Sequence, residues 1–169
     1  GSEAAGYVSE NLNNVGALGA MKLQDTPYSM SVASQDFLKN TQATTLDDVF
    51  KRNPFTQVFS PTGAGYASAV NIRGFSSAGN LNIANDGLRF STLADAGNFL
   101  EETEQLEVIT GLTGFLYGPA SPGGLVNYVL KRPTYENYRS VTLGNAGGDN
   151  YYLHGDFGGP IDDAGVFAY

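Results

Sequence analysis

The chain has 169 residues, of which 41% are hydrophobic and 15% charged, with 22 glycines and ten each of tyrosine and phenylalanine. Nine basic and 17 acidic residues give a net charge of −8, which disfavours a nucleic-acid-binding protein because such proteins present a basic face. There is no cysteine, so disulfides, thiolate zinc sites and cysteine nucleophiles are excluded.

The N-terminal 24 residues are polar and small, and we expect a flexible lead with one short strand near Tyr7-Val8. No signal peptide is visible in the sequence, and Gly1-Ser2 resembles a cloning scar, so we expect that the start is engineered and that any native signal was left out. No apolar run approaches the roughly 18 residues of a membrane-spanning helix.

Local patterns predict short strands and helices over the next part of the chain. Ser34 offers a hydroxyl cap to one helix, and Thr44 or Thr45 to another, with Asp47 and Asp48 in a first turn that favours negative charge. The predicted elements are a strand at Tyr28–Val32, a helix from Ser34 to Asn40, a helix from about Thr45 to Arg52, a strand at Val70–Phe75, a hairpin turning at Asn85-Asp86-Gly87, and a short acidic helix from Asn98 to about Glu104.

The most informative stretch is residues 106–133. Two β-type runs, Leu106–Thr110 and Leu125–Leu130, flank a compact connection that glycine and proline punctuate. The residues that punctuate it are Gly111, Gly114, Gly118, Pro119, Pro122, Gly123 and Gly124.

Residues 139–169 differ in pattern from the rest of the chain. Arg139–Leu143 and Tyr151–Phe157 alternate in polarity around glycine-rich turns, and a further strand begins at Val166–Tyr169. Such alternation with polar turns is typical of transmembrane barrel strands.

The order of these segments resembles the plug domain of TonB-dependent outer-membrane receptors, in the siderophore branch. The resemblance rests on the strand, the glycine-rich connection and the second strand, and on two upstream features: Asn71-Ile72-Arg73-Gly74-Phe75 and a turn at Asp86-Gly87. The resemblance implies an α/β fold: a small mixed-sheet plug with short helices and long loops, then a β-hairpin stub of a transmembrane barrel. It divides the chain into a lead (1–24), a plug (25–138) and the first strands of a truncated barrel (139–169). Because two or three strands cannot close a barrel, we expect a fragment that cannot transport by itself.

The resemblance also implies roles for individual residues. Arg73 matches a family arginine that pairs with carboxylates of the barrel wall, although a surface arginine at a strand end is the alternative. Glu107 matches a residue that holds this region together, the alternative being a solvent-facing strand position. Thr110 stands where the family usually has a second arginine, so only one of the two arginines that hold the family's plug–barrel interface is present. The matching structural glycines are Gly74, Gly111, Gly114, Gly118, Gly123 and Gly124.

Substrate contacts in such receptors come from outward loops of the plug. The corresponding loops here are residues 61–66, 76–80 and 90–96, in which Tyr66, Asn80 and Phe90 offer aromatic and amide groups to a ferric-siderophore chelate. Exposed loop tips without a ligand are the alternative for each residue. The chelator holds the iron, so no protein cofactor is expected.

The resemblance predicts a gate in the outer membrane of a Gram-negative bacterium, with its own C-terminal β-barrel and a TonB-type energy-transducing protein as partners. Residues 3–18 contain no convincing TonB box. The alternatives are a plug of a cobalamin- or glycan-importing receptor and a free-standing periplasmic binding or signalling module. An enzyme is disfavoured, because His154 stands alone and Ser121 lacks the flanking glycine of a nucleophile elbow.

Overall fold

The computed structural model describes residues 2–12, 18–43, 45–60, 69–76, 82–89, 100–119, 121–145, 147–161 and 167–168. They fall into two compact units, Gly1–Leu130 and Lys131–Tyr169.

The first unit combines short strands with short helices. Its strands are β1 (Asn11–Leu12), β2 (Met21–Lys22), β3 (Ser29–Ser34), β4 (Thr56–Ser60), β5 (Ala69–Ile72), β6 (Phe75–Ser76), β7 (Ile83–Asn85), β8 (Leu88–Arg89), β9 (Thr103–Thr110) and β10 (Gly124–Leu130). Its helices are α1 (Gln35–Asn40), α2 (Leu46–Phe50) and α3 (Gly114–Tyr117), with 3₁₀ turns at Glu3–Ala5, Leu23–Asp25 and Leu100–Glu102.

A five-stranded mixed sheet organises this unit, in the order β3-β9-β10-β7-β8. Only the β10–β7 pair is parallel, and the other neighbours are antiparallel. The central strands β9 and β10 are buried along almost their whole length. The mostly apolar sequence of β10 fits this position, because a strand covered on both faces has no solvent side on which polar residues would alternate. Two smaller sheets, β1-β2 and β4-β5-β6, are antiparallel.

The two faces of the mixed sheet carry different side chains, since successive residues of a strand point to opposite faces. On one face Leu106, Val108 and Tyr128 pack with α1 and α2 in the largest apolar cluster. On the other face Ile109 and Leu125 form a smaller cluster with Tyr28, Met30 and Tyr117. Glu107 is on this second face and is 0% exposed, so its carboxylate is placed in the interior.

Several sequence predictions are confirmed. Ser34 caps α1, its hydroxyl accepting a hydrogen bond from the Phe37 N–H at 3.4 Å. The hairpin of β7 and β8 turns at Asp86-Gly87, where both residues have positive φ (47° and 80°). Positive φ at both central residues is the backbone of a type I′ turn, which matches the twist of a hairpin.

Other predictions are wrong in detail. The strand predicted at Val70–Phe75 is interrupted at Arg73-Gly74, where the chain reverses into a hairpin. The strand predicted near Tyr7-Val8 is absent. The described part of the N-terminal lead instead forms β1 and β2, because Leu12 of β1 packs in an apolar cluster, where it is 1% exposed. Thr45 precedes α2 but its hydroxyl donates to the Asp48 carboxylate at 3.0 Å instead of capping the backbone. Asn98 and the predicted outward loop at 90–96 lie outside the described residues.

The second unit is a three-stranded antiparallel sheet of β11 (Tyr138–Asn145), β12 (Tyr151–Pro160) and β13 (Phe167–Ala168). Exposed and less exposed residues alternate along β11 and β12. Val141, Leu143 and Leu153 are among the exposed residues, although they are apolar. The opposite face carries polar residues, among them His154 and the buried Asp156. This arrangement reverses the usual polarity of a water-facing sheet.

Candidate functional site

Arg73 occupies the tight turn between β5 and β6. Arg73 and Gly74 both have left-handed backbone, with φ of 51° and 80°, and the Arg73 N–H donates to the Phe55 carbonyl at 2.9 Å. The guanidinium carbon lies 5.7 Å from the centre of the Phe55 ring, within the range of a cation–π contact. One guanidinium nitrogen is 3.8 Å from where a Cβ on Gly111 would stand. The exposed arginine therefore lies beside the start of the glycine-rich connection.

The end of the connection is close-packed at two glycines. A Cβ on Gly123 would overlap the Ile72 carbonyl oxygen and lie 2.8 Å from the Phe75 Cβ. A Cβ on Gly124 would overlap the Ile109 carbonyl oxygen, and its φ of 139° is one that residues with a side chain rarely adopt. Glycine is therefore required at both positions, so that β10 can begin against β9 and the β5–β6 hairpin.

The middle of the connection contains the short helix α3, which the sequence prediction missed. Gly114 begins it, and a Cβ there would meet no atom within 4 Å. Gly118 ends it with a φ of 77°. Arg89 of β8 holds this end, because its Nη1 donates to the carbonyls of Tyr117, at 2.8 Å, and of Pro119. Arg89 was not among the predicted site residues, since nothing local in the sequence links β8 to the connection.

Glu107 is fully buried and accepts two amide hydrogen bonds. Gln105 Nε2 donates to one carboxylate oxygen at 2.8 Å, and Asn127 Nδ2 donates to the other at 2.8 Å. Asn127 is itself fully buried, and its Oδ1 accepts from the Gly87 N–H at 2.9 Å. The network thus joins β9, β10 and the β7–β8 turn, and it gives the buried carboxylate the donors that it needs.

Three further contacts fix the same turn and strand ends. Asp86 accepts from the Leu130 N–H through Oδ1 at 3.2 Å, while its own N–H donates to the Tyr128 carbonyl at 2.8 Å. Asn82 accepts from the Ser121 N–H at 2.9 Å. Beside them, burial raises the pKa of the Tyr128 phenol, whose oxygen has no hydrogen-bond partner among the described residues.

Thr110 is buried at the end of β9, where the resemblance implies an arginine. Its hydroxyl donates to the Ser29 carbonyl of β3 at 2.8 Å, and the side chain is 4% exposed. The side chain thus bonds within the mixed sheet, and Arg73 presents a cation beside Gly111.

Of the predicted site residues, the structure brings Arg73, Gly74, Gly111 and Gly123 together, and places Glu107 within the sheet. Tyr66, Asn80 and Phe90 lie outside the described residues. Gln105, Asn127 and Arg89 are the residues that sequence reasoning missed. The i, i+2 spacing of Gln105 and Glu107 indicates a shared strand face, but Asn127 required knowledge of the β9–β10 register.

A cleft of about 230 Å³ lies along β3 and involves none of the predicted site residues. Its lining includes Tyr7, Phe37, Phe50, Arg52 and Phe55. Within the described ranges, no group of three or more histidine, cysteine, aspartate or glutamate residues is placed to hold a metal ion. None of the helices described here has the length and apolar character to cross a membrane.

A family model described as "TonB-dependent Receptor Plug Domain" matches residues 22–125, which include the Arg73 turn and the glycine-rich connection. The chain belongs to this family. The mixed α/β architecture predicted from the sequence is thereby confirmed, and the short helices and open mixed sheet are those of a plug domain.

Sequence relatives of this plug domain are receptors and transporters. It is 31% identical over 156 residues to the ferrichrome outer membrane transporter/phage receptor of Escherichia coli K12, covering 87% of this chain and 20% of that protein. It is 30% identical over 148 residues to the ferripyoverdine receptor of Pseudomonas aeruginosa, covering 84% and 18%. It is also 35% identical over 131 residues to the vitamin B12 transporter of Vibrio vulnificus, covering 75% and 21%. The chain therefore spans about a fifth of the length of these relatives.

Solved structures of receptors also match the fold of this plug domain. The plug domain superposes on FpvA of P. aeruginosa bound to a heterologous pyoverdine–iron complex with a TM-score of 0.81 and 26% identity, covering 97% of this chain and 22% of that one. It superposes equally on FpvAI in complex with pyocin S2, with a TM-score of 0.81, 26% identity and coverage of 94% and 21%.

Proposed function

We propose that this plug domain gates a TonB-dependent outer-membrane receptor that imports ferric siderophores. The proposal is supported by family membership, and by relatives whose names specify ferrichrome and ferripyoverdine. The plug would fill the lumen of the receptor's own C-terminal β-barrel in a Gram-negative bacterium, and a TonB-type protein would supply the energy.

The observation that carries the barrel part of this proposal is the polarity of the β11–β12 hairpin. Val141, Leu143, Leu153 and Phe157 are 59–78% exposed, and the register places Leu143 opposite Leu153 on one face. The other face holds Thr142, His154 and Asp156. An apolar outward face and a polar inward face are what a strand needs when lipid lies on one side and an aqueous lumen on the other.

The proposed gate acts through two arrangements of the plug. Substrate binds outward loops that include Tyr66, Asn80 and Phe90, and it favours one arrangement because it binds that arrangement more tightly. The change is then relayed towards the periplasmic side, where the TonB-type partner pulls. The Glu107–Asn127 network and the Arg89 contacts support this relay, since they connect the β7–β8 turn with both the central strands and the glycine-rich connection.

The first test is the size and place of the parent protein. Fractionated cells are immunoblotted with an antibody to this chain. The proposal predicts an outer-membrane band several times larger than 17.9 kDa. A band near that size in the soluble periplasm would instead support a free-standing binding or signalling module.

A second test addresses the loops. Deleting residues 61–66 in the full receptor should abolish high-affinity binding and uptake of iron-55-labelled siderophore at an unchanged receptor level. The matched point variants are Tyr66→Ala, Asn80→Ala and Phe90→Ala, with Tyr151→Ala as the control because Tyr151 is 77% exposed in the second unit. Unchanged binding and uptake in the deletion would contradict the proposed role of these loops.

A cobalamin receptor is the second candidate, favoured by the 35% identity to the vitamin B12 transporter of V. vulnificus. The two candidates are separated by competition: uptake of ferrichrome, ferripyoverdine and cyanocobalamin is measured in cells that express the full receptor and lack other receptors for these compounds. If the cells take up cyanocobalamin and neither siderophore, the siderophore proposal is wrong and the cobalamin receptor takes its place.

A further inference from the structure

A buried ion pair holds the segment that follows β10 in the chain. Lys131 Nζ lies 2.6 Å from Asp156 Oδ2, and the two side chains are 7% and 4% exposed. The pair Lys51–Asp48, at 2.8 Å, has side chains that are 58% and 33% exposed. Water screens the exposed pair, whereas breaking the buried pair leaves a charge in the interior without its partner. The Lys131–Asp156 pair is therefore the harder of the two to open.

The same segment is held against β12 at its other end. Asn137 packs so closely on Gly159 that a Cβ there would lie 2.7 Å from Asn137 Oδ1 and 3.1 Å from its Cα. Residues 131–137, which we call the linker, therefore contact β12 at both ends, near Asp156 and near Gly159.

The middle of the linker is exposed between these two contacts. Residues 132, 133, 135 and 136 are exposed, and Tyr135 is 82% exposed. Pro133 limits Arg132 to extended backbone, so part of the linker's path is preset.

We propose that Lys131 and Asp156 anchor the linker during transport, so that a pull on the plug stops at Lys131 and is not passed into the strands that follow. This inference rests on the proposed function. Lys131 is the residue directly after β10, and Asp156 belongs to the central strand of the three-stranded sheet, which is hydrogen-bonded on both sides. The pair thus joins the first residue of the linker to β12, the strand of this sheet that has a hydrogen-bonded neighbour on each side. Lys131 and Asp156 are positioning residues, which keep the linker in place while the plug rearranges.

The test uses the full receptor with Thr134→Cys as a reporter at a half-buried position in the middle of the linker. These 169 residues contain no cysteine, and maleimide modification is read by mass spectrometry of the peptide that carries position 134. Asp156→Asn and Lys131→Gln should each raise the labelling rate at least tenfold in isolated outer membranes. Lys131→Arg keeps the charge and should remain within about twofold of the parent, as should the exposed-pair control Lys51→Gln.

The consequence for transport is measured on the same variants without the reporter. Asp156→Asn should lower the energised uptake rate severalfold per receptor, while the Kd for ferric siderophore in non-energised membranes stays unchanged. The exchange Lys131→Asp with Asp156→Lys restores opposite charges and should bring labelling and uptake back towards the parent, which simple misfolding of either variant would not do.

Two results would overturn the inference: labelling unchanged in both Asp156→Asn and Lys131→Gln, or raised labelling with normal uptake. Labelling requires neither ligand nor energy, so failure of the anchor is distinguishable from failure of the proposed function. If the receptor takes up no ferric siderophore but shows the labelling differences, the anchor is supported and the assignment of ferric siderophore as the substrate is wrong.

Discussion

Replacing Asn127 with leucine removes the side chain that connects Glu107 to the β7–β8 turn. Leucine has the same branching and the same number of side-chain heavy atoms as asparagine, so the change removes both hydrogen-bonding groups without truncating the side chain. The Glu107 carboxylate loses one of its two amide donors, and the Gly87 N–H loses its acceptor. Both losses occur where Asn127 and Glu107 are fully buried, so water cannot readily replace the missing partner.

The expected magnitude follows from these two bonds. A hydrogen bond to a charged group contributes about 1.5–3 kcal/mol, and a buried N–H left without a partner costs about 1–3 kcal/mol. The free energy of unfolding should therefore fall by roughly 2.5–6 kcal/mol, a large part of the ~5–15 kcal/mol that stabilises a typical domain.

The assay is urea unfolding of the chain, followed by circular dichroism and tyrosine fluorescence because the sequence contains no tryptophan. Asn40→Leu is the control, since Asn40 is exposed and donates to the Tyr7 hydroxyl at 3.1 Å; it should cost less than about 1 kcal/mol. The double variant Glu107→Leu with Asn127→Leu removes the carboxylate together with its donor and should cost less than the sum of the single changes. The reasoning is refuted if Asn127→Leu costs no more than Asn40→Leu, or if the two changes add without coupling.

Gly124→Ala places a Cβ on a carbonyl oxygen at a φ of 139°, so we expect a loss of more than about 3 kcal/mol in urea unfolding, or no folded protein. Gly114→Ala is its control and should be neutral or stabilising by up to about 1 kcal/mol, because space is open there; equal effects at the two glycines would contradict this account. Arg89→Met frees two carbonyls and should lower stability by about 1–3 kcal/mol, with limited proteolysis shifting to residues 112–122; an unchanged cleavage pattern would show that Arg89 does not hold the connection. Burial raises the pKa of Tyr128 above its ordinary 10.0, so the folded chain keeps a proton that the unfolded chain releases, and stability is present below about pH 10 and falls above it by up to ~1.4 kcal/mol per pH unit. Tyr128→Phe should lessen that decline, read as urea midpoints at about pH 8 and pH 11, and an identical decline in both proteins would exclude Tyr128 as its source.

Local chemistry in the sequence was sufficient for several elements. The Ser34 cap, the Asp86-Gly87 turn and the two strands around the glycine-rich connection were predicted from neighbouring residues, and the structure confirms them. Each depends on interactions within a few positions: a hydroxyl reaching a nearby N–H, a positive φ that glycine accepts, or a run of apolar residues. The order of these elements also carried the resemblance to plug domains, which the match over residues 22–125 confirms.

Contacts between distant residues were decided by the tertiary structure. Nothing near Glu107 in the sequence identifies Asn127 as its partner, because the bond depends on the β9–β10 register across the whole connection. The same holds for Arg89, which meets carbonyls 28 and 30 positions away, and for the turn at Arg73, which ended a strand that looked continuous. Local sequence patterns determined the Ser34 cap, the Asp86-Gly87 turn and the two strands around the glycine-rich connection, and the order of the predicted elements indicated the family. Only the fold determined which side chains meet, because a strand pairing brings together residues whose separation along the chain has no local pattern.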